Sequence, residues 1–343
     1  MTVDRRMRYL DVAKGIAMIC IILGHQGAWV VNRFVFTFHV PIFFLITGYF
    51  TSAKLPIKEF IKRKARTLLV PYACTCVAII LVAALLALYG GQEVLPVVKQ
   101  WTFASLYGAG DSYTEPFYIP GIGAIWFLLA TFWGSVFLRL ALQMKKGVRI
   151  IFVFAVFAIG YWTARNLFWF PFSIQAGCGG LLFMYAGYLA RKSQPAYANV
   201  SKEVKVVAVI LALLIWGEFA WNFQSFWLVH VDIGRGLWDI IASICGSFIV
   251  ILISKFIDKK INLLGGFFAY LGKYSLLLLS IHILELNLFP WWTIENKLIS
   301  IGFVEVVAQC TIVALKVVFI ICVAVLCSKI KWITKLFGIK DKR

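Results

Sequence analysis

The chain has 343 residues, 62% of them hydrophobic and only 14% charged, with 34 Lys and Arg against 15 Asp and Glu for a net charge of +19. So apolar a composition excludes an ordinary soluble domain and predicts an all-α, polytopic membrane helix bundle, read as one integral-membrane domain over residues 1–343. The positive charge would suit a nucleic-acid partner, but it sits in short loops between apolar segments, so it reads as a topology signal and nucleic acid is set aside.

Apolar windows of about 20 residues, the length that crosses the hydrocarbon, fall at Leu10–Val31, Phe34–Ala53, Leu68–Tyr89, Ala124–Leu142, Ile150–Thr163, Ser173–Ala190, Val204–Trp221, Gly234–Ile253, Tyr274–Trp292 and Val304–Ser328. Of these ten predicted transmembrane helices, the fifth and sixth are the least regular, because Asn166, Pro171 and several glycines interrupt them. Of the 34 basic residues, 26 lie in the ends and loops that an even number of crossings puts on one side. The opposite loops hold only Arg33, Lys99, Arg165, Arg235 and Lys297, and this bias predicts that both termini are cytoplasmic. Arg5-Arg6 before an apolar run imitates a signal peptide, but Lys14 interrupts the run and no cleavage site follows, so the first helix is expected to stay. All eight cysteines fall in apolar segments without metal-ligand company and read as small buried hydrophobes; no metal is expected.

The first apolar stretch carries Asp11, Lys14 and His25. Eleven helical steps separate Lys14 from His25, which is three turns plus about 20° and a rise of roughly 16 Å, so the two are expected on one face, joined there by Asp11. Titratable groups inside a span normally face a bundle interior or a wet cavity, which makes this a candidate site. The alternative is an interfacial Asp11–Lys14 ion pair, with His25 bonded to a neighbouring helix. In the second helix His39 lies two residues before Pro41, where it either joins the site or bonds the backbone that the proline frees. A basic run, Lys58 to Arg66, then meets the third span. Such a run anchors topology against anionic lipid, whereas Arg66, next to the span, is placed to grip a phosphate with two prongs. The long loop 90–123 mixes aromatic rings with carboxylates, a composition shared by sugar-stacking surfaces and interfacial aromatic belts. Farther on, Glu218 in the outer half of the seventh helix reads as an acceptor-binding or helper carboxylate, with a structural bond as the alternative, His230 and Asp232 as mostly solvated surface, and His282 as either a core or a site histidine.

Three segments together resemble the membrane acyltransferase-3 family: Lys14 with ten residues and then His25; Phe38-His39-Val-Pro41-Ile-Phe-Phe followed by Gly48-Tyr49-Phe50; and Arg63-Lys64-Ala-Arg66-Thr-Leu-Leu-Val-Pro71-Tyr72. Weaker echoes follow at Ile125-Trp126-Phe127-Leu128 and Leu271-Gly272-Lys273-Tyr274-Ser275-Leu276 to His282. The resemblance implies transfer of an acyl group, commonly acetyl, from cytoplasmic acyl-CoA to a hydroxyl of an extracytoplasmic glycan or lipid-linked sugar, in a bacterial cytoplasmic membrane. It makes His25 the essential histidine and Lys14 the motif cation. Lys14 departs from the arginine of many members and lacks the planar fork. The soluble esterase-like extension of some members is not expected either, so transfer would finish within the membrane part. The expected site is therefore catalytic at His25, Lys14 and Asp11, donor-binding at Arg63, Lys64, Arg66 and Lys273, and substrate-binding at His39, Trp126, Glu218 and His282. His25 is expected to act as general base, with a covalent acyl-histidine as the other route. Membrane lipid, acyl-CoA and a glycan are the expected partners, homo-oligomerisation is left open, and a secondary transporter or a non-catalytic glycan- or lipid-binding module are the rival readings.

Overall fold

The computed structural model describes residues 7–339, which are helical apart from their connecting loops and one isolated antiparallel bridge between Tyr113 and Ile119. In chain order the helices are α1 (Arg8–Gly24), α2 (Trp29–Val35), α3 (Pro41–Phe50), α4 (Ile57–Lys64), α5 (Val70–Tyr89), α6 (Val94–Tyr107), α7 (Trp126–Ala141), α8 (Lys146–Asn166), α9 (Ile174–Lys192), α10 (Gln194–Ala198), α11 (Lys202–Trp221), α12 (Leu237–Lys260), α13 (Asn262–Lys273), α14 (Ser275–Leu288), α15 (Trp291–Ser300), α16 (Glu305–Ser328) and α17 (Lys331–Leu336). A π-helical turn, Ala65–Leu69, joins α4 to α5 into one long rod.

Two helices form the centre. α1 packs along α13 and α12 and also touches α2, α14 and α16, while α9 takes α3, α7 and α8 on its sides. Both depend on glycine. Gly15 lies against the backbone of Phe268, and Gly272 against the carbonyl of Asp11, so closely that a Cβ at either would overlap its neighbour. On α9 and its partners, Gly48 meets Met184, Gly187 meets Leu45 and Gly160 meets Cys178 in the same way. Small residues let helix backbones approach where the hydrophobic effect gives no drive between helices in lipid. The glycines that make the predicted sixth span irregular are therefore its packing surface, and most of α9 is buried.

The chain is a multi-pass membrane protein, and fewer of its helices have the length and composition of a crossing than the ten expected. Five helices among the described residues are long and apolar enough to cross: α4–α5, α8, α11, α12 and α16. The α13–α14 pair, bent by 72° at Lys273–Tyr274, makes a sixth if counted as one broken span. The expected first span, Leu10–Val31, stops at Gly24, and 17 residues reach only about 26 Å, short of the hydrocarbon's roughly 30 Å. The expected second, Phe34–Ala53, is split because α2 ends at Val35 and Pro41 opens α3 at a first-turn position, where its missing N–H costs nothing. The loop 90–123 contains a helix, α6, and only its remainder is irregular. Of the cysteines, Cys76 and Cys178 are buried, whereas Cys310 and Cys322 lie on the exposed face of α16, against the expectation of burial.

Candidate active site

α1 ends at Gly24, and His25 caps it with a non-helical backbone, φ −81° and ψ 3°. The last turn of a helix leaves carbonyls without partners, and His25 Nδ1 lies 2.8 Å from one of them, Ile21 O. A carbonyl only accepts, so Nδ1 carries the hydrogen and donates, and Nε2 is left as a free lone pair. Behind the ring, His282 Nε2 stands 3.4 Å from the same Nδ1, the two rings edge to face with centroids 5.0 Å apart. His282 in turn donates from Nδ1 to Glu285 Oε1 at 2.8 Å, one turn along α14. The other carboxylate oxygen accepts the Trp291 indole N–H. His282 is fully buried and Glu285 is 2% exposed. The donors and acceptors thus fall into one order: indole and His282 N–H both point at Glu285, His282 Nε2 is bare, and His25 shares its Nδ1–H between Ile21 O and that lone pair. On α16 the buried Lys316 reaches over the Trp291 ring, Nζ 5.7 Å from its centroid.

A cavity of about 400 Å³ opens in front of His25. Its walls come from the end of α1, from α2 and α3, from Trp126 and Phe127 of α7 and from Leu279 and Leu286 of α14; two loops, through Gly110–Asp111 and Phe226–Val229, complete it. His39 is also on its wall, in the break between α2 and α3, with Nδ1 2.5 Å from Val35 O. The same argument leaves His39 Nε2 free. Two imidazoles with one tautomer therefore share a single chamber.

The two loops are tied together beside the chamber. His230 Nε2 lies 3.2 Å from Asp111 Oδ2, and its Nδ1 lies 2.9 Å from the Tyr113 hydroxyl. Burial, then the nearby Asp111 carboxylate, pushes the Tyr113 phenol above its ordinary value, which keeps it a protonated hydroxyl beside His230. Tyr113 stacks on Trp169 with ring centroids 5.1 Å apart, and Trp227 lies face to face with both Phe36 and His230.

The acyltransferase-3 family model, an acyltransferase domain, matches residues 7–330. The chain belongs to this family. No curated protein and no solved structure matches it.

In this membrane acyltransferase, the expected site residues fall into separate places. His25, His39 and Trp126 meet at the cavity. His282 stands off the cavity wall and in contact with His25 itself. Lys14 does form the expected pair with Asp11, at 2.7 Å, with Asp11 buried. The helical face that was to carry both Lys14 and His25 ends one residue early, because His25 lies beyond the last helical residue, and neither Lys14 nor Asp11 lines the cavity. Lys273 follows Gly272, which packs on Asp11, so this cation belongs with the Asp11–Lys14 end of α1; its Nζ lies 5.0 Å from the Tyr274 ring centroid. Arg63 and Arg66 are exposed, and Lys64 is half-buried with Nζ 5.7 Å from the Phe60 centroid. Glu218 is not on the cavity wall: its carboxylate is held by Arg235 at 2.6 and 2.9 Å, by the Trp238 indole and by Asn222. That places it in an ion-pair network off the cavity wall, because Arg235, from the next loop, reaches it.

Glu285, Trp291 and Lys316 were not singled out from sequence. Their signals were present: His282 and Glu285 at i,i+3 on an apolar helix, and one lysine alone in the last apolar span. His230, read as surface, is half-buried and bonded at both nitrogens.

Proposed function

We propose that this acyltransferase moves an acyl group, acetyl by expectation, from cytoplasmic acyl-CoA to a hydroxyl of an extracytoplasmic cell-envelope glycan or lipid-linked sugar. In this reading the protein is a single domain of the bacterial cytoplasmic membrane with both termini cytoplasmic. The observation that carries it is His25 on the wall of a 400 Å³ chamber, its Nδ1 engaged by Ile21 O and the His282–Glu285 pair so that Nε2 is left as the lone pair.

A base needs an unprotonated nitrogen within reach of the proton it takes, and the tautomer supplies one. His25 Nε2 takes the proton of the acceptor hydroxyl as its oxygen bonds to the thioester carbonyl carbon. The tetrahedral intermediate then collapses, the carbon–sulfur bond breaks, and the CoA thiolate leaves with the proton returned from the imidazolium. During the step His25 is a cation, and the buried Glu285 carboxylate behind His282 stabilises that charge through the bridging ring. The donor's phosphates bind among Arg63, Lys64, Arg66 and Lys273, since the chamber has no ammonium or guanidinium on its wall among the described residues. Lys14, held by Asp11, supplies positive potential between that end of α1 and His25. Only the acyl-pantetheine arm enters the chamber.

The test uses purified full-length protein in lipid nanodiscs with acetyl-CoA and a panel of simple glycosides, with products counted by mass spectrometry. His25→Ala should lower transfer by roughly 10²–10⁴-fold, the usual contribution of a positioned base, while acetyl-CoA binding measured by calorimetry persists. A folded variant that keeps more than about a tenth of the activity excludes the base assignment.

A further inference from the structure

The chamber wall has an uneven inventory of polar groups. Among the described residues no Lys or Arg lines it, and its one carboxylate is Asp111. The two imidazoles present lone pairs at Nε2, as their Nδ1 bonds require. Asn32 adds a third acceptor: it lines the chamber, and its Oδ1 is buried without a hydrogen-bond partner among the described residues. A buried acceptor left alone is unfavourable, so a ligand hydroxyl that donates to it is favoured.

Asp111 is held in place at the mouth. Its Oδ1 accepts the Ser112 backbone N–H at 2.7 Å and its Oδ2 faces His230 Nε2 at 3.2 Å. His230 bridges the Tyr113 hydroxyl and Asp111 and is not itself on the chamber wall. The Asp111 side chain remains 55% exposed, which leaves lone pairs for a ligand. Trp227 and Trp126 also line the chamber and give it apolar aromatic surface beside Asp111.

We infer that the acceptor residue that enters this chamber is a sugar without negative charge, a neutral or amino sugar, and that Asp111 is the side chain that rejects uronic acids and other anionic sugars. The inference rests on the glycan acceptor proposed above and names its class. Acceptors on the wall match the many hydroxyl donors of a neutral sugar, while a carboxylate placed beside Asp111 meets a like charge with no cation among the described wall residues to offset it.

Three glycosides distinguish the outcomes: methyl β-glucoside, methyl β-glucosaminide and methyl β-glucuronide, each offered with acetyl-CoA to the wild-type protein in nanodiscs. The expected order of kcat/KM is glucosaminide equal to or above glucoside, and glucoside at least tenfold above glucuronide. Asp111→Asn should raise the glucuronide value relative to the glucoside by about tenfold. A glucuronide acylated as well as the glucoside by the wild type, or a ratio unmoved by Asp111→Asn, overturns the inference while leaving the transferase reading in place. Failure of the wild type to acylate or bind any of the three overturns the glycan reading and this inference with it. The wild-type comparison stands even where Asp111→Asn does not fold.

Discussion

Replacing Glu285 with Gln changes no shape and one atom's chemistry, and it isolates the group behind His25. In the native site Glu285 receives two N–H groups, from His282 Nδ1 and the Trp291 indole. A carboxylate accepts at both oxygens, whereas an amide accepts at one end and donates at the other. Turned with its NH₂ to Trp291, the new amide sets two donors against each other and leaves a buried indole N–H unsatisfied. Turned the other way, it forces His282 to carry its hydrogen on Nε2, which lies 3.4 Å from His25 Nδ1, itself already a donor to Ile21 O. Either arrangement costs one buried hydrogen bond, and both remove the charge that faces the imidazolium. A hydrogen bond to a charged group contributes about 1.5–3 kcal/mol, so kcat should fall roughly 10- to 100-fold. Because no substrate contact is touched, KM should stay within about threefold. Steady-state transfer from acetyl-CoA to a methyl glycoside, read by mass spectrometry beside a thermal melt, gives both numbers. On a His25→Ala background the same change should add no further loss, since residues that act as a unit are not additive. A folded Glu285→Gln protein with more than half the wild-type kcat refutes the relay and reduces Glu285 to packing.

Lys14→Arg should keep substantial activity and Lys14→Met very little, the second also losing up to about 3–5 kcal/mol of stability because the buried Asp11 carboxylate loses its lysine partner. The double variant Asp11→Asn, Lys14→Met removes both charges together; if its melt recovers and activity returns with it, the pair is only an anchor. Arg66→Gln should weaken acetyl-CoA binding in calorimetry with acceptor dependence unchanged, and wild-type donor affinity should fall with added salt, since Arg66 is exposed and screened; unchanged affinity assigns the basic run to topology. Gly272→Ala should lower the melting temperature sharply, because its Cβ meets the Asp11 carbonyl, and overpacking costs about 1–3 kcal/mol. Gly147→Ala, with open space around it in α8, should be neutral or slightly stabilising, and equal melts for the two would refute the close approach of α1 to α13.

The sequence shows most clearly what depends on local chemistry. Apolar composition marked a helical membrane protein, Asp11 and Lys14 at i,i+3 do pair, and His25 with His39 do share one chamber. It was less legible where a helix ends within an apolar run. Hydropathy counts residues and carries no record that Gly24 to Gly27 reverses the chain, with Gly27 at φ +74°, so two short helices were read as parts of two long ones. It was silent on tertiary pairing: that Arg235 takes Glu218, that His230 bridges Asp111 and Tyr113, and that His282 reaches His25 across 257 residues are facts of packing.

In the proposed reaction, the early end of α1 also bears on how a cytoplasmic donor and an outer acceptor meet. A helix that ran on to Val31 would carry His25 on its flank, with Nδ1 free to turn and its own backbone satisfied by the next turn. Ending at Gly24 instead leaves the Ile21 carbonyl open, and that carbonyl fixes the imidazole. The same ending brings the chain back through α2 and lets Asn32, Phe36 and His39 enclose the space ahead of Nε2. The reversal thus supplies both the tautomer and the chamber. It also separates charge by distance: the Asp11–Lys14 pair remains roughly 16 Å down α1, and Asp111 is the one carboxylate among the described wall residues. A phosphate-bearing donor is favoured at one end and disfavoured at the other, so its thioester can advance to His25 only at the tip of an uncharged arm. The proposed selectivity for acceptor charge and the proposed approach of the donor then rest on one feature, the absence of a described cation on the chamber wall.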